Sequence, residues 1–98
     1  MIKNNQIVEK TGWTLLSNHG HVLICLVRDP EMRLRDVALQ VGITERAVQK
    51  IVSELEASGI LSKEKVGRCN QYTFDEGAPM RHPLESQTNV GALISALK

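Results

Sequence analysis

The stretch "RDVALQVGITERAVQKIVSELEASGIL", residues 35–61, constrains the fold more than any other part of the chain. It holds two apolar stripes of helical period, separated by Gly42, Ile43 and Thr44. Val37, Ala38 and Val41 form the inward side of a two-turn helix, and Gly42 stops it in the left-handed conformation that glycine adopts without strain. Thr44 then caps a second helix, with Glu45 in the first turn where the positive end of the helix dipole favours an acid. Ala47, Val48, Ile51, Val52 and Leu55 make its buried stripe, and Gly59 ends it. With that stripe inward, Arg46, Gln49, Lys50 and Ser53 fall within a sector of roughly 100° on the outer side.

The flanks extend this pattern in both directions. Ahead of it, "TLLSNHGHVLICLVRDP" predicts a helix that Ser17 or Asn18 can cap and that Pro30 cannot continue. Val22, Leu23, Leu26 and Val27 share one stripe, Ile24 points nearly opposite and Cys25 lies at the margin, so this helix must be covered on more than one side. Trp13, with Leu15 and Leu16, is expected to staple the start of that helix to the core. "MRL" at 32–34 is a short strand candidate. After Gly59, "ILSKEKV", the turn "GRCN" and the returning strand "QYTFD" predict a hairpin with basic residues Lys63, Lys65 and Arg68. "EGAPMRHP" reads as a linker, and Pro83 suits the first turn of a final helix from Leu84 to about Leu97. In that helix Val90, Leu93, Ile94 and Leu97 recur at helical spacing.

A chain of 98 residues, 42% hydrophobic and 23% charged, has room for one folded domain with a small core. The domain organisation expected is an arm at 1–12, one main domain at 13–75 holding the helices and the hairpin, and a linker with terminal helix at 76–98. Net charge is only +1. Between Arg33 and Tyr72, seven Lys/Arg against five acids leave +2, a mild local excess. Three aromatic residues, Trp13, Tyr72 and Phe74, are too few for a platform that stacks single-stranded bases. "MIKNNQIVEK" lacks the apolar run of a signal peptide, and no eighteen-residue apolar stretch occurs, so a cytoplasmic protein off the membrane is expected. Cys25 and Cys69 make neither a disulfide framework nor a metal-type pair.

The order helix, short strand, helix, turn, helix, hairpin, with "DVALQVGIT", "LEASGIL" and the hairpin directly after it, resembles winged helix-turn-helix transcription regulators of the MarR and ArsR kind. The resemblance runs from about Asn18 to Phe74. It implies a mainly α fold with a small β-hairpin wing, in which Thr44–Ser58 is the recognition helix for the major groove. Ser62–Thr73 would be the wing on the backbone or in the minor groove. The Asp-x-Arg pair common in MarR wings has no counterpart in "KVGRCNQY", and the paired cysteines of the ArsR metal motif are missing. Longer terminal helices of full MarR chains are trimmed here.

Side-chain chemistry supports the same partner, double-stranded DNA. Arg46 and Lys50 can pair with guanine O6 and N7, Gln49 with adenine N6 and N7, and Ser53 completes the base-reading face. Thr44, Arg33, Arg35, Lys63, Lys65 and Arg68 are the candidates for backbone or minor-groove contact. Arg35 could equally pair with Asp36 or Glu31. The terminal helix must pack on the outside and meet Ile24 of the first helix, within the chain or across a two-fold axis. A homodimer through Ile24, Val90, Leu93, Ile94 and Leu97 would present two recognition helices to a palindrome. No cofactor is expected. His19 and His21 point some 200° apart on a helix and cannot share a metal. Cys69 is a turn residue first and an oxidant sensor only second. No nucleophile elbow, phosphate loop or carboxylate pair marks an enzyme. Two other readings remain open: a winged helix used for protein contacts in a larger complex, and a repressor gated by an unknown effector.

Overall fold

A computed structural model describes residues 12–97, and the arm expected at 1–12 lies outside these apart from Gly12. The elements are α1 (Asn18–Arg28), α2 (Leu34–Val41), α3 (Glu45–Ala57), β1 (Leu61–Val66), β2 (Cys69–Phe74) and α4 (Val90–Leu97). The strands form a single antiparallel hairpin in which Leu61 faces Phe74, Lys63 faces Tyr72 and Val66 faces Cys69. This is the expected mainly α architecture with a β-hairpin wing.

The helix-turn-helix forms for the reasons legible in its sequence. Gly42 adopts φ 88°, ψ 33° after α2, and both its N–H and that of Ile43 donate to the Ala38 carbonyl, at 2.8 and 3.1 Å. Thr44 then caps α3, its Oγ1 accepting from the Ala47 N–H at 3.0 Å. Val22 and Leu26 of α1, Val37 of α2 and Val48 of α3 are the most completely buried large side chains. Around them pack Leu23, Val41, Ile51, Val52, Leu55, Leu61 and Tyr72. Ala47 is only half-buried. One polar tie crosses this packing: His19 Nε2 of α1 lies 2.7 Å from Glu54 Oε1 of α3, with both side chains about half exposed.

Four expectations are corrected. Residues 32–34 form no strand. The N–H groups of Glu31 and Met32 both turn back on Asp29, to its side chain at 3.2 Å and its carbonyl at 3.0 Å. The contact with the hairpin comes just ahead of them, where the Pro30 carbonyl accepts from the Tyr72 N–H at 2.9 Å. The terminal helix starts at Val90, not Leu84. Residues 78–80 instead run antiparallel to 88–90, joined by Val90 N–H to Ala78 O at 2.8 Å and Met80 N–H to Thr88 O at 3.0 Å. The intervening chain turns on itself, with the Leu84 N–H donating to His82 Nδ1 at 3.0 Å, and Asn89 caps α4 by accepting from the Ala92 N–H at 2.8 Å. Nor does Trp13 staple α1 to the core: Trp13 is 85% and Leu15 89% exposed.

The fourth correction concerns what covers α1. Helix α4 folds back on it within the chain, where Ile24 and Val27 meet Ile94 and Leu97. Arg28 donates to the Leu97 carbonyl at 2.8 Å, a cation at the negative end of α4. Val90 and Ile94, each 3% exposed, are therefore core residues of their own chain and cannot also form a dimer interface.

Two outcomes follow from this packing. A Cβ placed on Gly91 would lie 2.7 Å from the Glu76 carbonyl oxygen and 2.8 Å from the Glu76 Cβ. Gly91→Ala must push α4 off the chain below it, with a loss of about 1–3 kcal/mol, seen as a lower urea midpoint with unchanged slope. Glu54 is held below its ordinary value of 4.5, first by the His19 hydrogen bond and further by the charges of His19, Lys50 and Arg81. A lowered carboxylate stabilises the fold fully above its unfolded value and loses that contribution as pH falls through the lowered folded value. Glu54→Gln is thus less stable than wild type at neutral pH, and urea midpoints of the two should converge in acid below 4.5.

Candidate nucleic-acid interface

The buried stripe of α3 leaves the opposite side in water. Arg46, Gln49, Lys50 and Ser53 are all exposed. None of the four side chains makes a hydrogen bond or a close ion pair with another described residue. They stand in the first three turns of the helix, and the acid that follows, Glu54, is turned toward His19 on α1. The structure therefore brings the four expected base-reading side chains together on one accessible face.

The hairpin sorts its charges by strand alternation. Leu61, Lys63 and Lys65 lie on one face of β1, directly across from Phe74, Tyr72 and Asn70. Ser62, Glu64 and Val66 lie on the other, across from Thr73, Gln71 and Cys69. The two lysines are thus on the face whose inner end is buried through Leu61 and Tyr72, and the acid of β1 is on the opposite face. Gly67 and Arg68 form the two-residue turn. Cys69 and Asn70 belong to β2 and not to the turn, as the sequence had suggested. Burial raises the Tyr72 hydroxyl above its usual value, while a hydrogen bond from Asn70 acts the other way.

Arg33 precedes α2 as its capping residue and Arg35 sits in its first turn, both exposed. Arg35 pairs with neither Asp36 nor Glu31; among the described residues the close side-chain ion pair is His19–Glu54. Thr44 is exposed, with its oxygen engaged by the Ala47 N–H. Of the proposed interface set on the far side, Ile24, Leu93 and Leu97 remain half-buried. Cys25 is buried beside Gln40, and burial raises its thiol. Among the described residues, no three His, Cys, Asp or Glu side chains are grouped to hold a metal ion. No helix among them is long and apolar enough to cross a membrane.

The sequence reading missed the contact of His19 with Glu54 and that of Arg28 with Leu97. Their partners are 35 and 69 residues apart, and no local pattern marks either pair.

Comparison with known proteins agrees with this geometry. The chain is 31% identical over 78 residues to an uncharacterized protein of Methanocaldococcus jannaschii, covering 76% of this chain and 17% of that protein. It is also similar to the crystal structure of the PcaV transcriptional regulator from Streptomyces coelicolor in complex with its natural ligand. That match has a TM-score of 0.53 and 28% identity, and covers 62% of this chain and 45% of the other. The chain thus spans less than half the length of either. Residues 15–62 match the family described as winged helix-turn-helix DNA-binding, and with the hairpin that follows, the fold of this chain is that of a winged helix.

Proposed function

We propose that the protein is a sequence-specific regulator of transcription of the MarR or ArsR kind, acting on double-stranded DNA as a homodimer. Residues 44–58 read the major groove and residues 62–73 lie along the backbone or minor groove. The observation that carries this reading is the outer face of α3, where Arg46, Gln49, Lys50 and Ser53 are exposed and make no side-chain hydrogen bond or close ion pair among the described residues. Long polar side chains left free on one helix face are available for bidentate bonds to base edges, each worth about 1–3 kcal/mol of discrimination. Lys63 and Lys65 share a wing face without an acid on β1, and Arg68 is at the tip, an arrangement suited to phosphates. Arg33, Arg35 and Thr44 add backbone contacts at the start of each helix of the motif. Similarity to a transcriptional regulator supports the regulatory role.

Fluorescence anisotropy with labelled duplex at two salt concentrations tests the reading. Tight binding that weakens steeply with salt is expected, because displaced counterions drive association with the phosphate backbone. No binding at low salt overturns it in favour of a winged helix used for protein contacts. On a selected operator, Arg46→Ala and Gln49→Ala should each lose about 1–3 kcal/mol at one base position and relax specificity there. Lys65→Ala and Arg68→Ala should instead weaken random and specific duplex alike, each lowering the salt slope by about 1.

A further inference from the structure

Glu54 stands at the border between the two sides of α3. Lys50 and Glu54 are four residues apart, so they lie about 40° from one another around the helix axis, within reach of each other. Of the acids in α3, Glu54 is the one placed three or four residues from a cation of the outer face; Glu45 and Glu56 have neither Arg46 nor Lys50 at those spacings. Yet the two are not joined. Among the described residues the close ion pair of Glu54 is with His19 of α1, Nε2 to Oε1 at 2.7 Å. An ionised carboxylate only accepts, so the ring nitrogen is the donor. His19, Glu54 and Arg81 line one hollow together with Ala57 and Ser58. The carboxylate is thereby turned toward α1 and the chain after the hairpin, not along its own helix toward Lys50.

We infer that His19 is a positioning residue for DNA recognition: by holding Glu54, it keeps the Lys50 ammonium available to the duplex. The inference rests on the DNA reading above and adds a residue of α1, outside the helix-turn-helix, to the determinants of that surface. Both members of the His19–Glu54 pair are about half exposed, so their bond is readily rearranged once either partner changes. Without His19, the cations whose charge reaches Glu54 are Lys50 and Arg81, and Lys50 acts the more strongly of the two. A pair four residues apart on one helix is favourable in its own right. A lysine so paired directs its protons at the carboxylate and not at guanine O6 and N7, and its charge no longer displaces counterions from the phosphates. The recognition helix thus carries its own competitor for DNA, and the bond from α1 keeps that competitor occupied.

Anisotropy of labelled duplex at two salt concentrations tests this on the full chain, with circular dichroism showing that each variant is folded. His19→Ala should bind about two- to fivefold more weakly at low salt, a range set by a helix pair at this spacing and by up to one cation's share of counterion release. Its salt slope should fall by up to about 1. His19→Ala combined with Glu54→Gln should bind at least as tightly as wild type, because no carboxylate is left to take Lys50, although the tie between α1 and α3 is still broken. In a Lys50→Ala background, His19→Ala should cost markedly less than it does in wild type. Three results overturn the inference: a His19→Ala chain with wild-type affinity and salt slope, a double variant as weak as His19→Ala alone, or equal losses with and without Lys50. The second of these would make the pair a tie between helices and nothing more. A wild-type chain that binds no duplex at either salt concentration overturns the DNA reading and the inference with it, whereas salt-sensitive wild-type binding that His19→Ala leaves unchanged overturns the inference alone.

Discussion

The packing of α3 against α1 and α2 is the interaction on which the rest of the molecule depends. Val48, Ile51, Val52 and Leu55 bury one stripe of α3 beside Val22, Leu26 and Val37. A helix has only one rotation about its axis that hides four such side chains, so burying them determines what the other side shows to water. The orientation of Arg46, Gln49, Lys50 and Ser53 is therefore a consequence of core packing and not of any bond those residues make. The turn at Gly42 and the cap at Thr44 decide where α3 begins, and hence which residues occupy its exposed first turns.

The same logic extends to the hairpin. Leu61 and Tyr72 are drawn into the core, which sets which face of the two-stranded sheet looks inward, and alternation carries Lys63 and Lys65 out along that face. A shift of one residue in register would exchange the lysines for Glu64. The chain is nearly neutral overall, at +1, so its interface with an anionic partner arises from where charges are placed and not from their number.

Residues 76–97 complete the core. Ala78, Val90 and Ile94 are buried with the three helices, Gly91 lets α4 approach Glu76 closely, and Arg28 holds the last turn of α4. Helix α4 thereby covers the second apolar side of α1, which the winged helix-turn-helix elements alone leave open. What remains exposed is a different surface, at the opposite end of α1, where Trp13 and Leu15 stand free of the core.

Sequence by itself determined the local elements and their inward faces. Helical period, a glycine in the left-handed conformation, a threonine cap and strand alternation all act over a few residues, so α1 to α3, the hairpin and the outer face of α3 were legible directly. Tertiary structure decided what depends on distant partners. Residues 32–34 stay out of the sheet where the Glu31 and Met32 amides turn back on Asp29, and the late start of α4 turned on the pairing of 78–80 with 88–90. Val90 and Ile94 carry the same apolar signal whether they face their own chain or a second copy, because burial is favourable against any apolar surface and carries no direction. Trp13 reads as a core residue in sequence for the same reason. Only the path of the chain decided that α4 covers α1 and that Trp13 is left in water.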